Sequence, residues 1–151
     1  MRTHIHYMKK CIELGKEAMR NGNPPVGSIL VKEDTIIGIG REAGKSSNDV
    51  TKHAEIEAIR DAIANKQALN DTILYTTHEP CIMCSYVIRH HHLKTIVFGA
   101  KSNYVGGTSS AFKILETENV PSWTNTPKII KGVLEDECYT LSKTYQSIQK
   151  K

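Results

Sequence analysis

Two short segments gather one imidazole, two thiols and a carboxylate: His53-Ala54-Glu55 and Pro80-Cys81-Ile82-Met83-Cys84. Nitrogen and sulfur donors in this combination suit Zn²⁺, which favours tetrahedral sites built from Cys and His. Cys81 and Cys84 have C-x-x-C spacing, which on a helix puts both side chains on one face. Pro80 suits the first turn of a helix, and the positive end of the helix dipole there favours thiolate over thiol. His53, Cys81 and Cys84 supply three protein ligands and leave a fourth position for water, the pattern of a catalytic rather than a structural zinc. Zinc lowers the pKa of such a water to ~7. Glu55, two residues past His53, is placed to move its protons. The alternative is a non-catalytic, zinc-stabilised binding module, which would recruit a fourth ligand such as Cys11, His78 or Cys138.

The elements around these segments alternate. Thr3 caps a first helix that runs to about Asn21, with Ile5, Met8, Ile12 and Met19 at helical spacing. Val26–Val31 and Thr35–Gly40, joined by the polar Lys32-Glu33-Asp34, read as a hairpin, and Arg41–Val50 as a loop. A helix over Thr51–Asn65 buries Ile56, Ile59 and Ile63. A strand over Thr72–Thr77, the helix after Pro80 and a strand over Thr95–Phe98 come next. Tyr104–Ser110 is a Gly-rich loop, Ala111–Thr117 a short helix and Lys128–Val133 the last strand. Leu134, Cys138, Leu141, Tyr145 and Ile148 stripe a final helix. The order predicts a three-layer α/β fold, and its β-β start makes the sheet mixed rather than purely parallel.

Composition narrows the classes. The chain has 151 residues, 39% hydrophobic and 24% charged, as expected for one domain spanning 1–151. No apolar run approaches the ~20 residues of a membrane span, and the start lacks the apolar core of a secretion signal, so the cytoplasm is expected. Net charge is +4, with basic residues dispersed apart from Lys9-Lys10 and Lys150-Lys151. That balance permits a nucleic-acid partner without demanding one. Cys138 and Cys11 read as core residues. His90-His91-His92 reads as a polar helix end, and Gly44-Lys45-Ser46 lacks the earlier Gly of a phosphate loop, having Ile39 there. Trp123 reads as packing or as a pocket wall.

The pairing of His53-x-Glu55 with Pro80-Cys81-x-x-Cys84 resembles the zinc-dependent cytidine/deoxycytidylate deaminase superfamily. Asn23-Pro24-Pro25-Val26-Gly27, Thr76-Thr77-His78-Glu79-Pro80-Cys81 and Val97-Phe98-Gly99-Ala100 resemble its branch of tRNA adenosine, guanine and fungal-type cytosine deaminases. Gly132-Val133-Leu134-Glu135-Asp136-Glu137-Cys138 resembles the end of the tRNA enzymes. The resemblance covers about the whole chain. It implies a three-layer α-β-α cytidine deaminase-like fold with a five-stranded mixed sheet, one Zn²⁺ per subunit and a homodimer. It also implies hydrolysis of a ring amino group to an oxo group with release of ammonia. It assigns the metal to His53, Cys81 and Cys84, the proton shuttle to Glu55, and substrate contacts to Ala54, through its N–H, and Pro25. Two positions depart from the pattern: Glu42 stands where relatives carry Asn, and Lys101-Ser102-Asn103-Tyr104 follows the Phe-Gly-Ala. A carboxylate accepts hydrogen bonds and cannot donate them, so Glu42 is either a solvated loop carboxylate or a group that reaches the pocket and faces a substrate N–H or O–H. With no dense basic stripe, a free nucleobase or nucleoside is favoured over tRNA, with wobble-position adenosine deamination as the alternative.

Overall fold

The computed structural model describes residues 2–149, so the Lys150-Lys151 pair lies outside the described residues. The chain runs α1 (His4–Arg20), β1 (Gly27–Lys32), β2 (Thr35–Arg41), a one-turn α2 (Gly44–Ser47), α3 (Ala54–Ala64), β3 (Ile73–His78), α4 (Ile82–His90), β4 (Thr95–Ala100), β5 (Lys128–Ile130) and α5 (Glu135–Gln149). The five strands form one sheet in the order β2-β1-β3-β4-β5. β1 is antiparallel to both β2 and β3, whereas β3, β4 and β5 run parallel. The expected mixed five-stranded sheet is therefore present.

Local chemistry sets the boundaries. The Thr3 hydroxyl accepts from the His6 N–H at 3.1 Å and caps α1. Glu33 and Asp34 both adopt left-handed φ, 49° and 61°, as a two-residue hairpin turn between right-twisted strands requires. The Asp34 carboxylate receives the Tyr7 hydroxyl and the Arg2 guanidinium, which ties the hairpin turn to α1.

Strand alternation divides the core in two. Ile29, Val31, Tyr75 and Val97 face α1 and α5, where they meet Met8, Cys11, Cys138 and Leu141. Leu30, Leu74 and Ile96 face the other way, against Ile59 and Ala62 of α3 and Ile88 of α4. This is the helix–sheet–helix layering anticipated from the sequence, and Cys11 and Cys138 are buried as expected.

Helix α3 lies unusually close to β2. A Cβ on Gly40 would stand 2.0 Å from the Ala54 carbonyl oxygen, and one on Gly38 would stand 2.3 Å from that of Ala58. Small residues therefore form the contact face of α3, and Ala54, Ala58 and Ala62 are each 0% exposed.

The structure corrects three expectations. Ile63 is 48% exposed, because the alanine row rather than an isoleucine stripe meets the glycines of β2. Residues 111–117 form turns rather than a helix, and the Arg89 guanidinium holds them by donating to the carbonyls of Ile114 and Thr117, each at 2.9 Å. The loop expected over Arg41–Val50 contains the helical turn α2, pinned where the Asn23 side chain accepts from the Ser46 N–H (2.9 Å) and donates to its hydroxyl (2.9 Å).

Candidate metal centre and active site

Both ligand-bearing segments begin helices. His53 is the N-cap of α3 and Cys81 the N-cap of α4, each with extended backbone and neither capping through its side chain. The first N–H groups of an α-helix have no intrahelical acceptor. The two helix starts thus direct unpaired donors and positive dipole ends at one place.

There the three ligands converge. His53 Nδ1 lies 3.4 Å from Cys81 Sγ and 3.5 Å from Cys84 Sγ, and the three donor atoms lie within 4.8 Å of one another. Tetrahedral zinc with ordinary Zn–N and Zn–S bonds requires N–S separations of about 3.6 Å. The spacing and chemistry of these donors therefore fit zinc, and these three alone form a metal-binding group of His, Cys, Asp or Glu among the described residues. The Cys84 donors and His53 pull the Cys81 thiol down to about 4, while Cys81 lifts His53 to about 9. Cys84 is pushed up by its neighbour Cys81 and by burial. One thiolate beside one imidazolium is the charge pattern a cation displaces when it binds and releases protons.

Glu55 sits in the first turn of α3, 4% exposed. Its Oε1 accepts from the Thr76 hydroxyl at 2.6 Å and its Oε2 from the Cys84 thiol at 3.1 Å. Burial raises its carboxyl above the usual range, against the pull of those two donors. Sequence placed Glu55 near the ligands. Thr76 was missed as part of the site, although a hydroxyl residue two places beyond the buried Leu74 falls on the same face of β3.

Glu79 was also missed. It is 2% exposed, yet its Oε1 accepts from the Ser102 N–H (3.0 Å). Its Oε2 accepts from the Thr108 N–H (2.8 Å), the Thr108 hydroxyl (2.7 Å) and the Ser109 N–H (2.8 Å). Burial pushes its carboxyl up, but these donors outweigh burial and hold it below the usual range. The carboxylate thereby gathers the loop after β4 onto Cys81, which pairs with Gly106 in an isolated bridge. The available signal was a charge inside an otherwise uncharged Thr76-Thr77-His78-Glu79-Pro80 run.

A cleft of about 550 Å³ opens on His53, walled by Pro24, Glu42, Lys45, Asn48 and Val50. Glu42 is 8% exposed and also borders a neighbouring cleft of about 780 Å³ that includes Arg41, Glu57 and Arg60. Glu42 Oε2 accepts from the Gly44 N–H at 2.9 Å, and burial raises its carboxyl. Pro24 lines the cleft, whereas Pro25 is buried beside it with its carbonyl accepting from the Thr77 hydroxyl at 3.5 Å. Ala54 is fully buried at the start of α3, next to His53. Trp123, 7% exposed, lies under the Arg89 guanidinium and edge-on to Tyr86.

Comparison with known proteins agrees with this geometry. The family described as the cytidine and deoxycytidylate deaminase zinc-binding region matches residues 1–100. A tRNA-specific adenosine deaminase of Haemophilus influenzae is 37% identical over 142 residues, covering 91% of this chain and 80% of the relative. A structure from a study of A-to-I editing by tRNA deaminases at the wobble position superposes with a TM-score of 0.82 at 29% identity, covering 90% of this chain and 98% of that one. The guanine deaminase of Bacillus subtilis has a TM-score of 0.63 at 36% identity, with 66% of each chain covered.

Proposed function

The chain belongs to the cytidine and deoxycytidylate deaminase family and is a zinc-dependent hydrolytic deaminase, and from that premise we propose that it acts on a free nucleobase or nucleoside, with Glu55 moving the protons. When bound by His53, Cys81 and Cys84, zinc makes a water deprotonatable near neutral pH. Glu55 takes a proton from the attacking water and hands it to the ring nitrogen, then takes the remaining proton from the added hydroxyl and delivers it to the amino group, which departs as ammonia. The net change is amino plus water to oxo plus ammonia. The observation that carries this role is the Glu55 carboxylate itself, buried and within hydrogen-bond reach of a ligand sulfur. The uncapped N–H of Ala54, at the positive end of α3, suits an oxygen or ring-nitrogen acceptor on the substrate. The Pro24-Pro25 turn shapes the wall beside it.

Glu42 supports a substrate that presents N–H or O–H donors, such as the ring N–H of guanine or a ribose hydroxyl. The cleft mouth carries Glu42 and Asp49 against Lys45. That mixture suits a small neutral substrate better than the sugar–phosphate backbone of a nucleic acid, which calls for several cationic contacts. The second reading, adenosine in tRNA, rests on the relative from H. influenzae matching over most of both chains. Ammonia release from guanine, cytosine, adenine and their nucleosides, run beside an anticodon stem-loop RNA, separates the two. Turnover of the RNA alone overturns the first.

The same reading includes a homodimer through α4, where Ile82 and Tyr86 are 36% and 54% exposed. Light scattering that shows a monomer at high concentration refutes it. Two observations support a cytoplasmic location: the four cysteines are free thiols, and no helix of the described residues is long and apolar enough to cross a membrane. A single domain over 1–151 is supported by one sheet carrying both core clusters.

A further inference from the structure

The two oxygens of Glu55 stand in different surroundings. Oε2 faces the ligand cluster, with the Cys84 thiol at 3.1 Å. Oε1 faces the sheet, where the Thr76 hydroxyl donates to it at 2.6 Å. Thr76 is 0% exposed, and β3 at this residue is paired on both sides, with Ser28 of β1 and Phe98 of β4. The donor is therefore carried by the middle of the sheet, its most constrained part. The terminal torsion of a glutamate side chain is broad and roughly two-fold, so on its own the carboxylate exchanges its oxygens and samples a wide fan of orientations.

We propose that Thr76 is a positioning residue for the deamination reaction: its hydroxyl ties Glu55 Oε1 to the sheet, so that Oε2 alone addresses the substrate and the ligand cluster. The inference rests on the deaminase reading and adds to it a division of labour between the two oxygens. A carboxylate that must carry a proton from water to a ring nitrogen and then to ammonia works fastest when its accepting oxygen is already in place. A hydroxyl fixed to a central strand supplies that placement without offering a second base.

The test compares Thr76→Val, which keeps the volume and removes the donor, with Thr76→Ser, which keeps the donor and removes a methyl. Both are assayed zinc-loaded, on whichever of guanine, cytosine, adenine, their nucleosides or an anticodon stem-loop RNA wild type turns over fastest. Positioning predicts that Thr76→Val lowers kcat by about tenfold to hundredfold, the worth of one hydrogen bond to a charged group. KM stays within about twofold and zinc at one per chain, and Thr76→Ser restores most of the rate. A kcat for Thr76→Val equal to wild type, whatever its melting temperature, overturns the proposal. A melting cycle makes the result independent of turnover. Thr76→Val should lower the melting temperature in the wild-type background and much less in the Glu55→Ala background. Equal shifts in the two backgrounds show that the hydroxyl and carboxylate are uncoupled, and also overturn it. Wild type that releases no ammonia from any of these compounds refutes the proposed substrates instead, while the melting cycle still decides whether Thr76 holds Glu55.

Discussion

Replacing Glu79 by Gln changes few atoms and should have a large effect. The carboxylate accepts four hydrogen bonds: one at Oε1 from Ser102 and three at Oε2 from Thr108 and Ser109. An amide keeps one acceptor oxygen, and the best arrangement gives it the three donors at the Oε2 position. The new NH₂ then points at the Ser102 N–H, donor against donor. Losing one hydrogen bond to a charged group costs about 1.5–3 kcal/mol, and the other three fall from charged to neutral strength. A total near 3 kcal/mol is a large fraction of the roughly 5–15 kcal/mol that holds a domain folded. At about 2–4 °C per kcal/mol for a chain of this length, the zinc-loaded protein should melt about 6–12 °C lower. Because the loop that Glu79 gathers pairs Gly106 with Cys81, zinc should also pass to a competing chelator several-fold faster. Asn103→Ala, in the same loop and exposed, is the control and should change neither quantity. The measurements are a thermal melt of the zinc-loaded chain and a colorimetric zinc-release trace. A Glu79→Gln protein that melts within about 2 °C of wild type and holds zinc as long would show that the loop supports itself, and the account of Glu79 would be wrong.

Glu55→Gln should retain fold and zinc yet lower ammonia release by ~10²–10⁴-fold, the usual worth of a positioned acid–base group; activity within a few-fold of wild type removes Glu55 from the chemistry. Glu42→Gln should reduce kcat/KM by about tenfold to hundredfold with zinc content unchanged. Parity with wild type on every substrate would confine Glu42 to holding the Gly44 N–H. The Asp34 carboxyl is held low by the Tyr7 hydroxyl and by the Arg2 N–H. A group whose folded pKa is depressed contributes stability above its ordinary value, ~3.9 for Asp, that is lost as pH falls through the lower folded value. Asp34→Asn should therefore flatten the acid limb of a melting-temperature profile below about pH 4 and leave its shape near neutrality unchanged.

The parts of the molecule that announce themselves in sequence do so through chemistry or regular period. His53-x-Glu55 and Cys81-x-x-Cys84 specify a donor set whatever fold carries them, and the apolar strands alternate with helices closely enough to give the layered fold. What stayed hidden depends on partners distant in sequence. Ile56 and Ile59 of α3 are buried as their period requires, but the face against β2 is a row of alanines at steps of four, which hydrophobic periodicity undervalues, and the next step of the period, Ile63, is exposed. Residues 111–117 make a single turn rather than a helix, and Arg89 fixes two of their carbonyls from α4, a contact no local pattern encodes. Thr76 and Glu79 look like ordinary strand-end polar residues until the chain is folded. Then one meets α3 and the other meets a loop more than twenty residues away.

The closeness of α3 to β2 also bears on how such a protein changes over time. His53, Ala54 and Glu55 are placed by backbone meeting backbone at Gly40 and Gly38, with no side chains between that drift could trade for others of similar volume. Any residue with a Cβ at Gly40 collides with the Ala54 carbonyl, so this register has almost no neutral neighbours in sequence space. Novelty is left to the turn over 43–50, whose residues border the cleft. A lineage can acquire new substrates through that turn while the helix that carries the reacting groups stays fixed.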